Sequence, residues 1–184
     1  MKDLLRVLLL AASWGLPQAG MAADATAATA LIQQLEGVYK HQFENALIYG
    51  EKYRSEDIIE LVRHSGDALY FRMDLQFFNG HSCAIHGVAK YHAGAFVYQG
   101  SEQRAGQPPC RLTISAEKGE LRVTDKAQEG ARSSCSDHCG ARGSLGGYAI
   151  SLARKRKIRY MPTVLKSRQY REAVEAYEKQ GGAR

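Results

Sequence analysis

Beyond its first two dozen residues the chain has no apolar run long enough to cross a bilayer as a helix, which excludes an ordinary helical membrane protein. It lacks a Gly-x-Ser-x-Gly elbow, a His-Glu-x-x-His pair and a glycine-rich phosphate loop, so these local signatures of hydrolases, zinc peptidases and nucleotide enzymes are missing. Neither Cys-x-x-Cys nor Cys-x-x-Cys-His occurs, which removes thioredoxin-like redox chemistry and haem attachment. There is no strand–helix–strand alternation, internal repeat or low-complexity tract. No carboxylate is placed by sequence to orient any of His41, His64, His81, His86 or His92, and Glu56-Asp57 reads as a cap or a solvated strand end. The reading is therefore of a protein without catalytic residues and without a cofactor.

What is present first is an export signal. Lys2 and Arg6 precede the short apolar core Val7–Ala12, Pro17 breaks it, and Gly20-Met21-Ala22 supplies small residues for cleavage. Residues 1–22 are read as a signal peptide, and with no cysteine at the cleavage point a lipoprotein is not expected. About 160 residues then remain, enough for one domain. Lys2, Arg6 and Asp3 leave with the signal, so the net charge of +6 falls to roughly +5. That basicity favours acidic surfaces but is far below that of a dedicated nucleic-acid binder. The expected location is the periplasm or the outside of the cell.

In such an oxidising compartment the four cysteines, Cys83, Cys110, Cys135 and Cys139, read as two disulfides. Three pairings are possible, and Cys83–Cys110 with Cys135–Cys139 is the one favoured here. The first would close about 28 residues and restrict the unfolded chain by roughly 3–4 kcal/mol, the second by about 2. His81 and His138 flank the thiols, but Cys135-Ser136-Asp137-His138-Cys139 lacks the Cys-x2-Cys spacing of a zinc knuckle, so no metal is expected.

The rest of the chain is organised as strands. Leu69, Phe71, Met73, Leu75 and Phe77 alternate with Tyr70, Arg72, Asp74 and Gln76, which gathers the apolar set on one face of a strand and would scatter it around a helix. Val38–Phe43, Asp57–Arg63, Cys83–Tyr91, Ala95–Tyr98, Cys110–Ser115, Glu120–Asp125 and Tyr148–Leu152 follow the same reading, although the Ile-Ile and Leu-Val doublets of Asp57–Arg63 fit a helix nearly as well. Turn signals fall between them at Asn79-Gly80, Ala93-Gly94, Gly106–Pro109 and Lys118-Gly119. The expectation is a mainly β domain over 37–161, a small antiparallel barrel or sandwich of lipocalin-like type. Residues 23–36 are read as a loose arm or short helix ended by Gly37. Arg154–Lys157 is read as a solvated basic strand leading to Ile158 and Tyr160. Residues 162–184 form the tail, with Ser167 as N-cap and Tyr170, Ala173, Val174 and Tyr177 as the apolar stripe of a helix over 167–179 docked on the barrel.

Residues 135–147 hold more glycine than a connection needs. Glycine permits close backbone approach, and a covalently held loop loses little entropy on binding. Gly140, Arg142, Gly143 and Ser144 are therefore the candidate binding loop. The alternatives are a plain tight turn and an Arg142 that braces the loop's own carbonyls. Cys139-Gly140-Ala141-Arg142-Gly143-Ser144 with Gly147-Tyr148 resembles the C-terminal region of LprI-type lysozyme inhibitors and related small periplasmic proteins of proteobacteria. Asn79-Gly80-His81-Ser82-Cys83, Ile158-Arg159-Tyr160, Leu165-Lys166-Ser167 and Tyr170 extend the likeness across Gly37–Tyr177. The chain lacks the cysteine-bearing helical domain with which many of those proteins begin. The resemblance implies an exported inhibitor of lysozyme-like cell-wall hydrolases; a carrier of a small apolar ligand and an immunity protein against a periplasmic toxin are the alternatives.

Overall fold

The computed structural model describes residues 18–101, 109–126 and 134–181. Eight strands follow one another as a meander, each antiparallel to the next: β1 (Gly37–Ala46), β2 (Lys52–Arg63), β3 (Ala68–Gln76), β4 (Ser82–His92), β5 (Ala95–Gln99), β6 (Arg111–Glu117), β7 (Glu120–Thr124) and β8 (Tyr148–Ser151). Every strand expected from the alternation is present, including 57–63, where the doublets left a helix open. The sheet curls until the chain after β8 meets β1. Val38 and Arg156 exchange N–H···O bonds of 2.9 and 2.9 Å, giving a nearly closed barrel rather than a sandwich. Arg154 to Lys157 are all exposed, and Arg156 makes that single bridge instead of extending a strand.

A meander sorts its connections between two ends. One end carries the tight turns, where Ala93 and Gly94, and likewise Lys118 and Gly119, all have positive φ, as type I′ hairpins require. Helix α1 (Gln18–Leu35) covers this end. Its residues Ala28, Ile32 and Leu35 recur at helical spacing and are fully buried, and Lys155 Nζ donates to the helix's terminal carbonyls at Gln33 (3.1 Å) and Gln34 (2.7 Å). Of the two readings for 23–36, the helix holds and the loose arm does not; the alanine-rich stretch has high helical propensity and a core to dock on. Of the expected signal segment, residues 1–17 lie outside the described residues.

The barrel interior is filled. Tyr39, Ile59, Leu61, Leu69, Phe71, Met73, Leu75, Phe96, Leu112, Ile114, Leu121 and Ile150 belong to one apolar cluster drawn from all eight strands and α1. Gly87 is required there, because a Cβ would stand 2.4 Å from the Tyr98 ring and 3.1 Å from Phe71, whose rings meet edge to face at 5.2 Å.

A second apolar layer lies outside the barrel. Val38, Val62, Ala68, Tyr70 and Val88 are covered by Ile158, by Val164 of α2 (Met161–Lys166) and by Ala173 of α3 (Arg168–Lys179). The expected stripe of α3 faces this layer, and Ser167 caps it by accepting from Tyr170 N at 3.1 Å. Helix α2 was not expected; Pro162 sits in its first turn, where the missing N–H costs nothing.

Burial raises the pKa of Tyr39, whose hydroxyl donates to Leu35 O, and pushes Tyr70 up to about 12. The ordinary value, which the unfolded chain regains, is 10.0. The folded state thus holds protons that the unfolded state releases, so this stability is intact below pH 10 and is lost as pH rises from there toward about 12. Urea midpoints should be flat from pH 7 to about 9.5 and fall steeply above pH 10, with the tyrosinate absorbance of the buried tyrosines appearing only as the protein unfolds. All ten tyrosines ionising before unfolding would contradict the burial.

Candidate functional site

The other barrel end gathers everything irregular: the β1–β2 and β3–β4 turns and the two long connections before β6 and β8. Both disulfides are here, and their pairing corrects the expectation. Cys83 is bonded to Cys139 and Cys110 to Cys135. Between Cys135 and Cys139 runs a 3-10 turn, Ser136–His138, which points residues four apart in different directions and prevents a local ring. Cys83, the second residue of β4, and Cys110, just before β6, are separated by β5, while the β7–β8 connection crosses the barrel mouth and reaches both. The two bonds therefore pin one long loop as a cap, with Leu145 fully buried beneath it.

The glycine-rich segment is the part of that cap lying over β4. Gly140 N donates to Ser82 O at 2.8 Å, and Gly143 N to Gly140 O at 2.8 Å. A Cβ on Gly143 would come within 2.7 Å of Cys83 Sγ, and one on Gly140 within 2.8 Å of His81 Nδ1. These glycines are thus demanded by close approach to the disulfide and the β3–β4 turn. Ser144 turns back on its own loop, its Oγ accepting from Gly146 N at 3.1 Å.

Arg142 is exposed and does not brace carbonyls. Its guanidinium lies over the Phe78 ring, 5.3 Å from the centroid, and forms no hydrogen bond or ion pair to a described residue. A cation parked on a ring face keeps its hydrogen-bond donors available to an acceptor from outside. At the same barrel end are exposed apolar side chains that the sequence did not single out: Phe78 (40%), Ile48 (58%) and Tyr49 (96%). Their loops are cross-braced. Ile48 N donates to Asn79 Oδ1 (3.1 Å), Gly80 N to Tyr53 Oη (2.9 Å) and Asn45 Nδ2 to Phe77 O (2.9 Å). Asn79, with φ of 60°, is the left-handed residue of the expected Asn-Gly turn.

Two buried carboxylates also escaped the sequence reading. Glu56-Asp57 is not at an element end but inside β2. Asp57 points into the barrel, accepting from Gln76 N (2.8 Å) and Tyr148 Oη (2.9 Å), with His41 Nδ1 at 3.7 Å. This ties β8 to β2 across the seam where β1 and β8 share no ladder, and burial with the neighbouring Asp57 raises the Tyr148 pKa. These bonds make Asp57 a structural knot between β2, β3 and β8. Glu60, 1% exposed on the outer face, accepts from Arg72 Nε (2.6 Å) and Tyr160 Oη (2.6 Å). Among the described residues no group of three or more His, Cys, Asp or Glu side chains is placed to hold a metal ion, and no helix is long and apolar enough to cross a membrane. No protein-family model, curated protein or solved structure matches the chain.

Proposed function

We propose that this is an exported, non-enzymatic binding protein that docks through the disulfide-capped end of its barrel, and that its target is a lysozyme-like cell-wall hydrolase. The observation that carries the reading is the convergence of Tyr49, Ile48, Phe78 and an unneutralised Arg142 on three braced loops at one end. Aromatic residues and arginine dominate binding hot spots, and a rigid tip loses little entropy when it docks. A glycosidase cleft lined by two carboxylates offers the acceptor Arg142 lacks. The two disulfides fit an oxidising compartment outside the cytoplasm, and the periplasm suits the target. The likeness of 139–148 to LprI-type inhibitors supports the same choice. A carrier role has less support, because Phe71, Met73 and Leu75 are packed in the core instead of bordering a ligand.

The test is clearing of a cell-wall suspension by lysozymes of several classes, with and without the mature protein. Protection is expected at micromolar excess against at least one class. Tyr49→Ala and Arg142→Ala should each weaken it about 30-fold, the loss of a single hot spot, at unchanged stability. No protection against any class would sink the reading.

A further inference from the structure

A second site lies on the outer barrel wall, on residues other than the docking tip. The outer face of β2–β4 and the start of α2 and α3 enclose a cleft of about 390 Å³ lined by Ile58, Arg72, Asp74, Tyr160 and Gln169 among others. It shares Ala84, Ile85 and His86 with a neighbouring cleft of about 360 Å³ that runs on beneath α3 to the cap at Cys110 and His138, so the two adjoin as one groove. A groove of this combined size holds more than one ring of a ligand.

The side chains in it are built rather than incidental. Glu60, almost wholly buried, fixes two of them at once, taking Arg72 by Nε and Tyr160 by its hydroxyl. Arg72 is thereby held with Nη1 and Nη2 bonded to no described residue. Tyr160 is held by its hydroxyl with the residue 39% exposed. Asp74 contributes an exposed carboxylate, its Oδ1 taking Gln76 Nε2 at 2.7 Å, and Gln169 an amide. His86 lies against Glu172 Oε2 at 3.6 Å, and Glu172 is itself paired with Arg168 at 3.5 Å. Burial lowers the His86 pKa, so the ring is neutral near pH 7.

The balance of charge selects the ligand. Arg72 is already neutralised by Glu60, and Asp74 stands beside it, so an anion would be repelled; a cation would leave the N–H donors of Arg72 and Gln169 without an acceptor. Alternating donors and acceptors on planar side chains, beside a fixed and exposed aromatic ring, suit a neutral molecule covered in hydroxyls with one apolar C–H face. We propose that this groove binds a neutral oligosaccharide, one sugar ring stacking on Tyr160 while Arg72, Asp74 and Gln169 hydrogen-bond its hydroxyls. The site is independent of the docking tip and stands or falls separately.

The experiment is an amide-shift titration of the full mature protein with two probes, the N-acetylglucosamine trimer and maltotriose, with acetate as the anionic control. Saturable shifts clustered on β2–β4 and the α2–α3 junction are expected with at least one sugar. Gln169→Ala and Asp74→Asn, both at accessible positions, should each weaken binding about fivefold. Tyr160→Phe should retain binding, whereas Tyr160→Leu should abolish it while the tip still protects cell walls. Absence of shifts with both sugars at tens of millimolar, binding indifferent to Gln169→Ala and Asp74→Asn, or stronger saturation by acetate would each overturn the proposal.

Discussion

Replacing Cys83 and Cys139 together by serine should lower the unfolding free energy by about 4 kcal/mol. The bond spans 56 residues of sequence, and the loop-entropy relation gives that figure for a ring of this size. Cys110–Cys135 spans 25 and should be worth about 3.5 kcal/mol on its own. Because the shorter ring is nested within the longer, each bond shortens the loop the other must close, so a surviving bond softens each single loss and removing both should cost more than the sum of the separate losses. Against a typical domain stability of about 5–15 kcal/mol, even one loss is large. The check is the urea midpoint of each double-serine variant, with peptide mapping under non-reducing conditions for the pairing itself. The Cys83/Cys139 variant should also lose docking before it loses the barrel, because Gly140 and Gly143 are seated against that bond and Arg142 rides between them. A loss below about 1 kcal/mol would show that the cap is held by packing alone.

What the alternation of residues encodes is the direction each side chain takes from its strand, and this was enough to read the eight strands but left barrel and sandwich open. It does not encode what lies on the far side. Tyr70 alternates with Leu69 and Phe71 as a surface residue should, yet it is buried, because α2 and α3 return from about 100 positions later to cover it. Glu60 is hidden for the same reason, under Tyr160. The disulfide pairing is set by strand order and by a loop crossing the mouth, neither of which cysteine spacing contains. At the tip, Asn79-Gly80 was legible as a turn and Arg142 as a candidate. Ile48 and Tyr49 were not, although two large apolar residues at a strand end beside Gly50 are a signal that no core claims them.

The buried pair on the outer wall carries the other large effect. Arg72→Leu should destabilise the protein by about 3–5 kcal/mol, the cost of leaving a buried carboxylate without its partner. Glu60 is 1% exposed, so water cannot replace the guanidinium, and Tyr160 offers one hydroxyl against a full charge. Burial alone would lower the Arg72 pKa, but the hydrogen bond and charge of Glu60 raise it, so the arginine is charged throughout the accessible pH range. The converse change, Glu60→Gln, should cost less, because the amide oxygen can still accept from Arg72 Nε while its NH2 donates to the Tyr160 hydroxyl oxygen, and Arg72, one-third exposed, can turn to solvent. Removing both charges as Glu60→Leu with Arg72→Leu should recover most of the loss, since two apolar side chains there would join the layer formed by Tyr70 and Val62. Chemical denaturation of the three variants measures this directly. A double variant as unstable as Arg72→Leu would mean that the pair is needed to place Tyr160 and start α2, and that the wall is organised by this ion pair and not by its apolar contacts.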